Sequence, residues 1–297
     1  MKHSRANLCV LCLAGLAATM GMSAADAQDV VLAGAADIGQ CGPSKLLNTV
    51  ATASLLDSIS GMVFASGDLG YPTGTDGDFA KCYESTWGRH RARTIPVAGA
   101  HDYVAPNAFG YFNYFGPAAG DPTKGYYSLN YGAWHIVVLN GSCSNIHGGG
   151  CTASSPQGQW LQADLAANPV TCTLALWHQP LYSSTSADVT PAVQPLWQIL
   201  YNAGADLVIN GHAHNYERFS PQDANGNLDT AKGMREFIVG TGGAPLASFN
   251  TTAANSEVRN STTFGVLKLT LHSASYDWQF IPIAGQSFSD SGTQACH

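Results

Sequence analysis

Charge is scarce in this chain. Of its 297 residues only 11% are Asp, Glu, Lys or Arg, against about 25% in an ordinary soluble domain. Lys and Arg number 13 and Asp and Glu 20, for a formal net charge of −7. The shortage of basic residues excludes a nucleic-acid footprint and a polybasic membrane patch. With 45% hydrophobic residues, the chain is too apolar and too weakly charged for intrinsic disorder. Internal repeats, low-complexity tracts and an obvious linker are also lacking.

Several catalytic signatures are missing. The chain has no Gly-x-Ser-x-Gly elbow, which excludes the usual serine-hydrolase reading. Gly148-Gly149-Gly150 is not followed by Lys-Ser/Thr and is no P-loop. It reads as a flexible disulfide-closed loop with His147 facing solvent. Beyond residue 27 there is no Cys-x-x-Cys pair, so a structural zinc site made of cysteines is excluded.

A long membrane-spanning run is lacking too. The apolar stretch over residues 8–22 is too short for a comfortable span. Lys2, His3 and Arg5 precede it, and Ala25-Asp26-Ala27 follows as a small-x-small cleavage site. Residues 1–27 therefore read as a secretory signal peptide, and residues 28–297 as a single domain. Cys9 and Cys12 leave with the signal. The remaining six cysteines suit three disulfides in an exported chain, with fifteen possible connectivities. Cys143–Cys151 is the easiest pair to close, and Cys41–Cys82 with Cys172–Cys296 would complete the set.

What is present alternates. Apolar runs at residues 30–35, 62–65, 94–98, 173–177 and 205–209 read as strands, and residues 43–58, 79–91, 156–167 and 191–202 as helices. Residues 126–131 and 134–139 read as a hairpin around Gly132, and residues 237–240, 266–271 and 276–283 as late strands. Such alternation indicates an α/β core with added antiparallel sheet.

Polar residues cluster where the strands end, which is where open α/β sheets bind ligands. Five ends contribute: Asp37-Ile38-Gly39, Gly67-Asp68-Leu69-Gly70-Tyr71, Gly99-Ala100-His101-Asp102, Trp177-His178-Gln179-Pro180 and Gly211-His212-Ala213-His214. Carboxylate, phenol and imidazole donors without thiolate suit Zn, Fe or Mn. Strand alternation through 212–214 would point both imidazoles to one face. His135, in an apolar strand, reads as a satisfied core residue. Tyr111, Phe112, Tyr114 and Phe115 read as core packing, and Glu217 with Arg218 as an ion pair under the site.

In this order the strings DIG (37–39), GDLGY (67–71), AHD (100–102), WHQP (177–180) and GHAHNYER (211–218) resemble the calcineurin-like metallophosphoesterases. Tyr71 and the NYER tail make the chain similar to the purple acid phosphatase type, in its small secreted bacterial form. The resemblance implies a four-layer α/β/β/α sandwich of two mixed β-sheets flanked by helices. It implies two metal ions, iron with Fe, Zn or Mn. One would be held by Asp37, Tyr71 and His214, the other by His178 and His212, with Asp68 bridging. His101 would protonate the leaving oxygen, and Asp102 would orient its ring. The implied reaction is hydrolysis of phosphate monoesters by a metal-bound hydroxide, with a small phosphate ester as partner and no nucleic acid or membrane. A phosphodiesterase or nucleotidase uses the same scaffold. The family carries Asn where this chain has Ala100, so the second metal site would be weakened, and a metal- or phosphate-binding descendant of low activity is the other alternative. The destination would be periplasm or medium.

Overall fold

In the computed structural model, the chain is described at Met1 and at residues 28–39, 41–42, 46–146 and 150–297. The signal-peptide reading, the start of the helix at 43–58, His147, Gly148 and Gly149 fall outside the described residues. Among those described, no helix is long and apolar enough to cross a membrane.

Thirteen strands appear among the described residues. They are β1 (Val30–Ala35), β2 (Met62–Ser66), β3 (Thr94–Val97), β4 (Tyr127–Tyr131), β5 (Trp134–Val138), β6 (Cys172–Leu176) and β7 (Leu207–Asn210). Then follow β8 (Tyr216–Phe219), β9 (Arg235–Val239), β10 (Ser256–Asn260), β11 (Gly265–Leu271), β12 (Ser275–Pro282) and β13 (Ser291–Ala295). The α-helices are α1 (Leu46–Asp57), the single turn α2 (Asp76–Asp78), α3 (Phe109–Phe115), α4 (Pro156–Ala167) and α5 (Gln194–Asn202).

Two mixed sheets result, as the fold expectation requires. One runs β13-β12-β11-β1-β2-β3, the other β10-β8-β9-β7-β6-β5-β4. Strands β1, β2 and β3 are parallel, as are β5, β6, β7 and β9, and antiparallel strands complete each sheet. The central strands are apolar on both faces, which the period of two explains. Trp134, Ile136 and Val138 join the core shared by the two sheets, whereas Val137 and Leu139 face the cluster with Leu161 of α4 and Leu196, Trp197 and Leu200 of α5. Helix α1 buries Thr49, Thr52, Ala53 and Leu56, an i, i+3, i+4, i+7 stripe. Its two threonines then reach the site loops: Thr49 Oγ1 donates to Ile38 O at 2.8 Å and Thr52 Oγ1 to Gly242 O at 2.6 Å.

The expected elements at 79–91 and 191–202 are interrupted. The first consists of irregular turns at Phe79–Tyr83 and Trp87–Arg93, and the second is a short turn leading into α5. Three disulfides join Cys41–Cys82, Cys143–Cys151 and Cys172–Cys296. His135 is held on both nitrogens, by Asn130 Oδ1 and Asp164 Oδ2, each at 2.8 Å. The aromatic residues of α3 pack with Phe79 and Tyr83. Glu217 and Arg218 do not pair with each other as expected. They point to opposite faces of β8, where Arg218 meets Asp290 and Glu257 and Glu217 accepts from Ser184 and Ser256.

Glu236 on β9 is fully buried, and neither carboxyl oxygen has a hydrogen-bond partner among the described residues. Burial, reinforced by the charge of Glu217, pushes its carboxyl well above the ordinary value, and the nearby amides of Tyr182 and Leu181 only soften the effect. The unfolded chain therefore loses this proton first, and stability falls as pH rises above about 4.5 towards the folded value. The Glu236→Gln variant is expected to melt like the native protein below that pH and at a higher temperature above it. Melting curves across pH check this; parallel curves at all pH values would contradict it.

Candidate metal centre

The parallel strands of both sheets end on one side of the molecule, and each end delivers a ligand-type side chain. Asp37 follows β1, Asp68 and Tyr71 follow β2, His101 follows β3, His178 follows β6, and His212 with His214 follows β7. Asp37, Asp68 and His212 all have left-handed backbones, with φ of 59°, 56° and 68°. This conformation is uncommon for residues with a side chain, and its strain concentrates at functional sites. It also corrects the expectation for 212–214. Strand β7 stops at Asn210, and the two imidazoles turn to the site through a tight loop rather than by strand alternation.

Close approach is enforced by glycine. A Cβ on Gly67 would lie 2.4 Å from His178 Nδ1, and one on Gly211 would lie 2.2 Å from Ala36 Cβ and 2.9 Å from Asp37 Oδ2.

Two donor groups emerge. In the first, the Tyr71 hydroxyl lies 2.9 Å from Asp37 Oδ1, 3.1 Å from Asp68 Oδ2 and 3.1 Å from His214 Nε2, and His214 Nε2 is 3.3 Å from Asp37 Oδ1. In the second, ligand atoms of Asp68, His178 and His212 lie within 4.8 Å of one another. Asp68 belongs to both. Its Oδ1 accepts from the His101 amide at 2.7 Å, while Oδ2 faces Tyr71 and stands 3.1 Å from His178 Nε2.

The imidazoles are aimed from behind. Nδ1 of His178 lies 2.9 Å from Ser66 O, Nδ1 of His214 2.9 Å from Pro245 O, and Nδ1 of His101 2.8 Å from Pro72 O. A carbonyl only accepts, so Nδ1 carries the proton in each ring and Nε2 is presented. Backbone carbonyls behind ligand histidines commonly fix this tautomer. No sequence motif marks these carbonyls, and they were not foreseen. Asp102 does not orient His101 as expected. Its buried carboxylate accepts from the amides of Gly99 at 2.8 Å, Gly70 at 3.0 Å and Leu69 at 3.1 Å, and so braces the β2 and β3 loops. Burial and the charge of Asp68 push Asp102 up to about 7, against the pull of these amides.

The residues fit a pair of cations. One phenolic proton faces two carboxylates and can satisfy one at a time. Among the described residues His178 Nε2 is buried without a hydrogen bond, despite its closeness to Asp68. Protons otherwise do the work of cations. Burial disfavours charge on His178 and His214, but the Asp37 and Asp68 carboxylates prevail and raise both to about 9. Desolvation and the charge of His178 lower the half-buried His212 to about 4. Burial raises the Asp37 and Asp68 carboxyls, yet His214 and His178 respectively hold each below the ordinary range. A second close group, Cys172, Asp206 and Cys296, offers no such site, because its sulfurs are joined in a disulfide.

Residues 36–216 match the family model described as calcineurin-like phosphoesterase. The chain belongs to the calcineurin-like phosphoesterase family. Among curated relatives of this family member, purple acid phosphatase 15 of Arabidopsis thaliana is 35% identical over 42% of this chain and 23% of its own length. Purple acid phosphatase 18 of the same plant is 29% identical over 72% of this chain and 50% of its own length. An acid phosphatase of Aspergillus ficuum is 34% identical over 32% of this chain and 16% of its own length. The chain thus spans half or less of these relatives. Among solved structures, a purple acid phosphatase from yellow lupin seeds superposes with a TM-score of 0.70 at 21% identity, covering 91% of this chain and 54% of the lupin chain. The anchor in the inner membrane complex of Plasmodium has a TM-score of 0.67 at 15% identity, over 91% and 89% of the two chains. Those likenesses establish the fold.

Cations must expel the protons held on His178 and His214, since imidazole ligates in its neutral form. Apparent metal affinity is therefore expected to rise with pH up to about 9, with protons released on binding. Calorimetry in buffers of different ionisation enthalpy checks this. Affinity that is flat between neutral pH and that value would contradict it.

Proposed function

We propose that this family member is a secreted metal-dependent acid phosphatase that hydrolyses phosphate monoesters at a two-metal centre. The observation that carries the reading is the sharing of Asp68 between two converging donor groups. Asp37, Tyr71 and His214 would hold one ion, His178 and His212 the other, and Asp68 both. When bound, two such ions supply positive charge on both sides of a phosphate ester and an activated water at near-neutral pH. The donor chemistry suits iron with iron, zinc or manganese, and a tyrosinate favours ferric iron. The plant and fungal acid phosphatases among the relatives support the monoester class.

The chain's own residues supply the rest. His101 stands beside Tyr71, ring centroids 4.4 Å apart, with its Nδ1 proton held by Pro72 and no hydrogen bond to Nε2 among the described residues. Protonated at Nε2 as well, it would pass that proton to the leaving oxygen and return to the neutral form that keeps its Nδ1 proton on Pro72. Asp102 would act as a positioning residue, since it fixes the backbone on which Asp68, Tyr71 and His101 sit. Three disulfides suit an oxidising compartment outside the cytosol.

Ala100 favours a second reading. It occupies the position next to His101 where the resembled pattern has Asn, and a methyl group offers no lone pair. The ion at His178 and His212 would then be bound more weakly, and the chain would bind metal and phosphate with little turnover.

A chromogenic phosphate monoester, assayed across pH with the metal-loaded protein, decides between the readings. The native chain is expected to hydrolyse it, and Asp68→Ala to lower kcat/KM by roughly a thousandfold or more, since it removes charge stabilisation of the transition state. Ala100→Asn is expected to tighten the second ion and raise the rate. Turnover seen only in Ala100→Asn would support the binding protein instead. Neither metal uptake nor hydrolysis in any form would refute both readings.

A further inference from the structure

A cavity of about 400 Å³ lies on the His101 side of the centre. Contacts fix its place. His101 leads into the turn Asp102–Val104, closed by Val104 N donating to His101 O at 3.2 Å. Tyr103 lines the cavity and lies two residues from His101, a span of at most about 7 Å. Its hydroxyl accepts from Asn140 Nδ2 at 2.6 Å. The loop after Asn140 is tied to the centre in turn, because Gln179, the neighbour of His178, donates to Ser142 Oγ at 3.0 Å. Asn145 on that loop also lines the cavity, and its amide donates to Ser142 O at 2.8 Å. The third wall is the start of α3. A Cβ on Gly110 would lie 2.2 Å from Gly74 O, and one on Gly74 2.5 Å from Asp102 O, so α3 sits directly on the loop that follows Tyr71 and Pro72.

The lining has a definite chemistry. Tyr103, Phe109 and Phe112 supply three rings, Asn107, Asn113 and Asn145 supply amides, and no charged side chain is among the lining residues. Phe112 is anchored in the core, whereas Phe109 is 39% exposed. Asn107 and Ala108, just before it, both have left-handed backbones, with φ of 56° and 49°. Two successive residues with side chains in that region are uncommon, and such strain concentrates at functional sites. The conformation turns the chain into α3 and sets Phe109 at the cavity. The side-chain amides of Asn107 and Asn145 form no hydrogen bond among the described residues. Aromatic walls with a few uncommitted amides suit a planar, uncharged group.

We propose that this cavity is the leaving-group subsite of the phosphoester site and that it takes a planar aromatic group. The inference rests on the phosphatase reading, in which His101 serves the leaving oxygen. Whatever that oxygen carries starts at His101, and the turn 102–104 leads from there to the cavity wall at Tyr103. Rings attract an aromatic group by preferred stacked and edge-on geometries as well as by burial. An uncharged lining offers an ionic tail no partner and leaves its desolvation uncompensated. Aryl phosphates are therefore favoured over polyol phosphates and over esters with a charged tail.

The test compares native protein, Phe109→Ala and Phe109→Tyr, all metal-loaded, on 1-naphthyl phosphate and glycerol 2-phosphate. Comparing the ratio of kcat/KM for the two esters between variant and native protein cancels their different intrinsic reactivity. Phe109→Ala is expected to lower the ratio of naphthyl to glycerol ester about tenfold, the worth of one aromatic contact. Phe109→Tyr is expected to keep most of it. Binding of 1-naphthol, followed by its fluorescence, needs no turnover and is expected to weaken by a similar factor in Phe109→Ala. An unchanged ratio, or an equal loss on both esters, would overturn the proposal. If the native chain hydrolyses neither ester, the phosphatase reading falls, and 1-naphthol alone decides whether the cavity takes an aromatic group. No binding of 1-naphthol, or binding that Phe109→Ala leaves unchanged, would then overturn it.

Discussion

The arrangement turns on the carboxylate of Asp68. It is buried, it faces Tyr71 and His178 with one oxygen, and the other is fixed by the His101 amide. A buried carboxylate is costly unless its charge is met, and here it is met from two sides at once. That single demand links the end of β2 to the ends of β1, β3, β6 and β7. Because these strands belong to two different sheets, the face-to-face packing of the sheets is a precondition of the centre. Tilting one sheet against the other would separate His178 and His212 from Asp37 and Tyr71.

The backbone accommodates this at local expense. Three ligand-type residues sit in the left-handed region, and glycines at 67 and 211 allow contacts that a Cβ would forbid. Such strain persists only where the surroundings over-determine it. The Asp102 carboxylate, bonded to three loop amides, and the α1 threonines, bonded to Ile38 and Gly242 carbonyls, are part of that surrounding frame. The geometry of the centre and folding stability are thereby tied to the same loops, whereas Glu236 under the β8 and β9 surface is a stability cost with no visible share in the centre.

Much of the fold was legible because the central strands are apolar on both faces and end on glycine or a polar residue. Strands β1, β2, β3, β6 and β7 announce themselves in this way. The polar edge strands β10 (Ser256–Asn260) and β13 (Ser291–Ala295) carry no such alternation and were not anticipated. Strand β8 was hidden inside the motif tail at 215–218, and α3 inside an aromatic cluster. The ligand-type residues were legible as residue types at strand ends, and the structure brings all six together. What failed was local geometry: the route by which His212 and His214 converge, and the partner of Asp102. Both depend on backbone carbonyls and amides, which every residue possesses and no sequence pattern marks.

The central claim is that one carboxylate is shared by two ions. Anomalous diffraction from crystals of the metal-loaded protein, recorded at the edges of the metals supplied, tests it most directly. The expected result is two peaks flanking Asp68, about 3.5–4 Å apart, with one near Tyr71 and the other near His178. A single peak away from Asp68, or none at saturating metal, would contradict the account.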